Sequence, residues 1–247
     1  MEYENALNFL LFSYFGFEDG VDGIKNGNDK IPYLCARRAY LDLARTVKYK
    51  YSSSVLDNMS AKKSRDEDKE EAAAFKTAKN DMIDKMCQKM LYPVEEKHCC
   101  DNEFADWHEK KCKDIKDDMN KAIYETNEPN NCIIKDKAFT YGQAQKWLNM
   151  TLKYMWLLDM LPEGLTKESL HIPIDSYIID AVKSNAIEYG LGIKTGPSAA
   201  SWSKWDDYGA YRDYQNAAGK TIREKYGLSP IEWEGKAWMA TAKDKSN

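Results

Sequence analysis

Residues 140–164 read TYGQAQKWLNMTLKYMWLLDMLPEG, and this stretch decides the fold. Thr140 is followed three residues later by Gln143, the spacing of a capping box in which each residue satisfies a free amide of the other. Beyond it come Ala144, Trp147, Leu148, Leu152, Met155, Trp156 and Leu158, which leave the segment apolar nearly all round. A helix of that kind belongs at the centre of a protein. The spacing predicts a helix from about 142 to 160, closed by Pro162 and Gly164.

Working outward, the helical period recurs. Residues 33–50 place Ala36, Tyr40, Leu43 and Val47 on one face, with Pro32 suited to a first turn. Residues 52–70 have like-charge clusters and no apolar period, and read as a polar loop or linker. A helix over about 68–91 carries the stripe Phe75, Ala78, Met82, Met86 and Met90 and stops at Pro93. Another, about 101–125, lines up Phe104, His108, Cys112, Ile115 and Met119. After a loop at 127–138, further helices follow over about 175–189 (ended by Gly190), 206–226 (ended by Gly227) and 230–242. The last opens on a second capping box, Ser229 to Glu232, with Pro230 at its first position. No strand pattern of useful length occurs. The expectation is an all-α chain of roughly eight helices, residues 1–247 forming one helical domain.

Composition removes several classes. With 247 residues there is enough chain for a sizeable core. Mean hydropathy is −0.70 and no run of 18 apolar residues exists, so no transmembrane helix is expected. Seven Trp, 16 Tyr and 7 Phe are too many for a solvated, disordered chain. The formal charge is −4, unevenly spread: residues 131–247 carry 15 basic and 14 acidic side chains, the remainder 21 and 26. A polyanion would meet less repulsion in the C-terminal part. The first twenty residues lack the basic start and small-residue cleavage site of a secretory leader, so the expected location is cytoplasmic and the six cysteines are expected as free thiols.

Four constellations could carry chemistry. His98, Cys99, Cys100, His108 and Cys112 are metal-binding types, and His108 and Cys112 share a helix face. The adjacent Cys99 and Cys100 lack the gap of a zinc knuckle, and His108 and Cys112 lie on the apolar stripe, so core packing is the competing reading and no metal is expected. Lys146, Asn149 and Lys153 form a polar stripe on the central helix, where a lysine must reach solvent, a partner or a cleft. A desolvated lysine is a potential nucleophile. His171-Ile172-Pro173-Ile174-Asp175 puts a carboxylate at a helix start, as a cap or at the mouth of a cleft. Trp202, Trp205, Tyr208, Tyr211 and Tyr214, interleaved with Lys204 and Arg212, could stack on bases or simply pack inward, with Gln215 a polar amide on the same stripe.

The second and third constellations together resemble the helix-hairpin-helix DNA glycosylase superfamily. There a hairpin reading roughly Gly-Val-Gly-x-Lys precedes an apolar helix, and a segment reading roughly Val-Pro-Val-Asp-x-His-Val opens the next. Gly142-Gln143-Ala144-Gln145-Lys146 is similar to the first, and His171-Ile172-Pro173-Ile174-Asp175-Ser176-Tyr177-Ile178 to the second. Ala144 replaces the second glycine and Tyr177 the usual histidine. The resemblance covers about one sixth of the chain and extends in principle over a core of 139–242. It implies that Lys146 attacks C1′ of a damaged nucleotide to form a Schiff base and that Asp175 stabilises the oxocarbenium-like sugar. It further implies that the backbone around Gly142, Gln143 and Ala144 holds phosphate. Lys153 and Lys204 would add charge, and Trp202, Trp205, Tyr208 and Gln215 would form the pocket of a flipped base. No cysteine follows Cys132, so no iron–sulfur cluster of the family's kind, and no other cofactor, is expected. The expected partner is DNA, bound by a monomer. The alternative is a non-catalytic helical protein that binds a protein or nucleic-acid partner, with Lys146 and Asp175 as an ion pair plus cap.

Overall fold

The central helix forms where the cap and the apolar run require it. In a computed structural model, which describes residues 3–90, 101–124, 131–194, 196 and 201–246, Thr140 and Gln143 make both bonds of the capping box ahead of helix Tyr141–Leu157. Thirteen of that helix's 17 residues are buried.

Ten α-helices occur among the described residues: α1 Tyr3–Phe15, α2 Gly20–Lys25, α3 Ile31–Leu43, α4 Ser53–Met59, α5 Asp66–Lys89, α6 Asp101–Lys121, α7 Tyr141–Leu157, α8 Ser176–Lys183, α9 Tyr208–Tyr226 and α10 Pro230–Asp244. Three short 3-10 turns cover Ala44–Thr46, Lys135–Lys137 and Trp202–Lys204. Two isolated bridges, Tyr49 with Ile134 and Ile123 with Cys132, are the only β-pairing there. The all-α expectation holds, in one compact domain. No helix among the described residues is long and apolar enough to cross a membrane.

Helix α7 packs chiefly on α3 and α6, with the 202–204 turn across its first residues, while α10 packs on α8 and α9. The α3 contact is anchored by Trp147, whose fully buried indole N–H donates to the Ala36 carbonyl at 2.8 Å. The ends follow the local chemistry. Ser229 and Glu232 complete the second capping box, and Gly227 ends α9 at φ +62°, where a side chain would be strained.

Three boundaries differ from the sequence expectation. Residues 52–70 are not a loop throughout: Ser52 caps α4 by accepting the Val55 amide, and Leu56 is buried. A seven-residue helix with one buried apolar side chain leaves little period to detect. The helix expected over 175–189 stops at Lys183, and Gly190 serves another purpose, because a Cβ there would lie 2.3 Å from the Ser184 carbonyl oxygen. Helices α1 and α2 carry no interpretable face, since α1 leaves Phe9, Leu10 and Phe12 more than half exposed.

Candidate functional site

Lys146 lies one turn into α7, and Asp175 stands immediately before α8. The fold brings them together: Lys146 Nζ is 2.9 Å from Asp175 Oδ2. The lysine side chain is 5% exposed and the aspartate 17%. Asp175 works twice, because its Oδ1 accepts the Ile178 amide at 3.0 Å and so caps α8. Burial disfavours its charge, yet Lys146, the Ile178 amide and the Trp238 side chain more than offset this and hold the carboxyl below its ordinary value.

The pair lines a cleft of about 530 Å³. A second pair stands beside it. Lys153, two turns along α7 from Lys146, contacts Glu234 of α10, whose side chain is 1% exposed. Burial raises the Glu234 carboxyl above its ordinary value despite Lys153 and Lys146 nearby. The opposite wall comes from the N-terminal part of the chain. Tyr14 of α1 donates to Tyr154 Oη at 2.9 Å, and Tyr154 donates to Asp42 Oδ2 at 2.7 Å. Asp42 in turn accepts from Arg38 at 2.8 Å. Phe15, Trp202 and a stacked pair, Tyr177 on Trp238 at 5.1 Å, complete the aromatic lining. Arg45, Lys146 and Lys153 balance Asp42, Asp175 and Glu234. A neutral planar ring suits such a cleft better than a phosphate does.

A buried hydrogen-bond network fixes the segment that delivers Asp175. Gln215 accepts the Ile172 amide at 3.0 Å and donates to the Ile172 carbonyl at 2.7 Å. Gln145 donates to the Ile174 carbonyl at 3.2 Å. Asn149 donates to Gln145 and to Tyr211 Oη, and its Oδ1 accepts from His108 Nε2 at 2.8 Å. Tyr208 Oη then donates to His108 Nδ1 at 2.7 Å. Residues 171–175 are thus clamped between α7 and α9 by side chains whose polar groups are partnered.

These contacts correct several expectations. The amides of Gly142, Gln143 and Ala144 are spent inside the chain, on the Trp205 carbonyl, Thr140 Oγ1 and the Thr140 carbonyl. They are not a phosphate cradle. Gly142 is required instead by the Trp202 carbonyl oxygen, which a Cβ would approach to 1.9 Å. Residues 122–140, of which 125–130 lie outside the described set, separate α6 from α7 with a bridge and a 3-10 turn. Trp202 lines the cleft, whereas Trp205, Tyr208 and Gln215 do not: Trp205 packs edge-on against Tyr214, and the other two belong to the buried network. Lys153 is held in the cleft by Glu234 rather than on a DNA-facing surface, and Lys204 is exposed on its turn outside the cleft.

The metal reading fails at His108, both of whose ring nitrogens are occupied. Burial pushes His108 down to about 4, so it is neutral. His98, Cys99 and Cys100 lie outside the described residues, among which no group of three metal-ligating side chains occurs. Cys35, Cys87, Cys112 and Cys132 are free thiols, and burial raises Cys35 and Cys87 to about 12.

Sequence reasoning missed Glu234, Trp238, Tyr14, Tyr154 and Asp42. Glu234 carried a usable signal, since it lies on the inward stripe of Pro230, Ala237 and Thr241 at helical spacing. Compared with protein-family models, curated proteins and solved structures, the chain matches none of them.

Proposed function

We propose that the cleft removes a damaged base from DNA, with Lys146 as nucleophile and Asp175 as the carboxylate facing the sugar. The observation that carries this reading is the 2.9 Å contact between these two side chains in the wall of an aromatic, charge-balanced cleft. Lys146 must first lose a proton. Its neutral Nζ then forms a bond to C1′ as the C1′–N bond breaks, and the electron pair leaves with the base, which takes up a proton. Opening of the sugar at C1′–O4′ leaves a Schiff base between Nζ and C1′. Of the two carboxylates, Glu234 is the better proton acceptor, because its environment favours the protonated form while that of Asp175 favours the charge.

The cap made by Asp175 also supports a non-catalytic reading in which the pair only holds α7 to α8. That reading leaves an open cleft with two ion pairs and six aromatic side chains unused.

The test is borohydride trapping on duplex DNA bearing abasic sites or a panel of oxidised and deaminated bases. The expected result is a covalent complex with the wild type that disappears in Lys146→Gln and is strongly reduced in Asp175→Asn. Absence of both trapping and base release on every substrate would overturn the proposal.

A further inference from the structure

The cleft is charge-balanced, and the backbone amides expected to hold phosphate are occupied. Neither place suits a polyanion. A groove of about 920 Å³ runs from the end of α3 through residues 44–53 to α5, with Lys135 on its rim. Five cationic side chains line it, Arg37, Arg45, Lys48, Lys79 and Lys135, and no carboxylate does. Arg37 is neutralised by Asp84. The other four have no carboxylate partner among the described residues. Arg45, Lys48 and Lys135 are exposed, and Lys79 Nζ sits 4.2 Å above the Tyr49 ring.

Arg45 also lines the cleft, so the two depressions share a wall. Tyr49 and Tyr51 lie among the cations. A concave track of exposed cations suits a flexible polyphosphate strand, whose backbone charge it can follow, while the rings are packed into the wall, Tyr49 under Lys79 and Tyr51 against Phe75. A bilayer surface cannot follow such a concavity.

We infer that this groove binds the sugar-phosphate backbone of a nucleic-acid strand and leads it past Arg45 into the cleft. The binding stands on the groove alone; that the strand is the substrate of the cleft rests on the base-excision reading. Phosphate neutralisation releases counterions, so affinity falls with salt, and four contacts to a single strand predict a log–log slope of about −3.

The experiment is fluorescence anisotropy of a fluorescein-labelled single-stranded oligothymidylate across a potassium chloride series. The wild type is compared with Lys48→Glu/Lys135→Glu and with a control of equal charge change on α9 and α10, Lys220→Glu/Lys243→Glu. Circular dichroism melts establish that each variant folds. The groove pair should lose about tenfold or more in affinity at low salt and show a slope shallower by about 1 to 2, with the control near wild type. Three results would overturn the inference: no binding by the wild type at low salt, equal losses in the groove pair and the control, or binding to phosphatidylserine vesicles in place of the oligonucleotide. Lys146→Gln separates the two proposals. Oligonucleotide binding that survives in this variant and depends on Lys48 and Lys135, with neither trapping nor base release by the wild type, keeps the groove and discards base excision. Trapping that is unaffected in the groove pair, together with oligonucleotide affinity equal to that of the wild type, keeps base excision and discards the groove.

Discussion

Asp175 binds Lys146 with one carboxylate oxygen and the amide of Ile178 with the other, so a single side chain joins α7 to the start of α8. The two roles can be separated by substitution. Asn keeps an oxygen for the cap but removes the charge opposite a lysine that is almost fully buried. Breaking a buried pair from one side costs about 3–5 kcal/mol. Asp175→Asn should therefore lower unfolding stability by about 3 kcal/mol, and Asp175→Ala by about 1 kcal/mol more through the lost cap. Urea denaturation measures both. Equal stabilities for the two variants would show that the cap contributes nothing.

Gly142 tests whether this glycine serves a ligand or the fold. Its Cβ would meet the Trp202 carbonyl oxygen at 1.9 Å, a backbone atom with no flexible end to move aside. Gly142→Ala should destabilise by about 2 kcal/mol or more, as overpacking at a close contact does. The thermal midpoint should fall even where no nucleic acid is present. A variant as stable as the wild type, with weaker oligonucleotide binding, would restore the phosphate role.

What could be read in the sequence was what repeats along one element. The capping boxes at Thr140 and Ser229, the enclosed α7 and the cap at Asp175 all depend on residues a few positions apart. The pairing of Lys146 with Asp175 came through the family resemblance, because neither a lysine on an apolar helix nor an aspartate at a helix start names the other as its partner. The rest of the cleft is assembled across the chain. Tyr14, Asp42 and Tyr154 meet only because α1 and α3 pack beside α7. Gln215 looked like a base reader because a polar amide on an inward face needs a partner, and the partner is the backbone of Ile172. Net charge misdirected attention too: the more acidic N-terminal part supplies most of the basic groove, whose lining includes no carboxylate although Asp84 reaches Arg37 from beside it.

Two buried histidines should govern acid stability. Burial lowers His108 to about 4 and His171 well below its ordinary value, with His108 adding to the effect on His171. A histidine depressed in the folded state binds its proton only on unfolding. Stability is therefore intact above about pH 6.5 and is lost as pH falls toward the folded values. Each histidine contributes a slope of up to about 1.4 kcal/mol per pH unit in that window. His108→Gln should remove about half of the combined slope in urea titrations between about pH 6.5 and 4.5. An unchanged slope would mean that His108 does not take up a proton on unfolding.

Lys153 and Glu234 give the opposite sign. A carboxyl whose folded value is raised binds more protons folded than unfolded, so stability falls as pH climbs from about 4.3 to that raised value. Removing Lys153 takes away the nearest compensating charge and extends this window upward. Lys153→Met should therefore cost least near pH 4, below the ordinary carboxyl value from which Glu234 is raised, and about 2–3 kcal/mol more near pH 8, where the unfolded carboxyl is ionised and the folded one is 1% exposed with no lysine against it. Adding Glu234→Leu should recover most of that loss at the higher pH, because an apolar pair of similar volume carries no desolvation penalty. Denaturant unfolding of the single and double variants at both pH values measures this. A loss that is the same at both would mean that Glu234 does not change its protonation when Lys153 is removed.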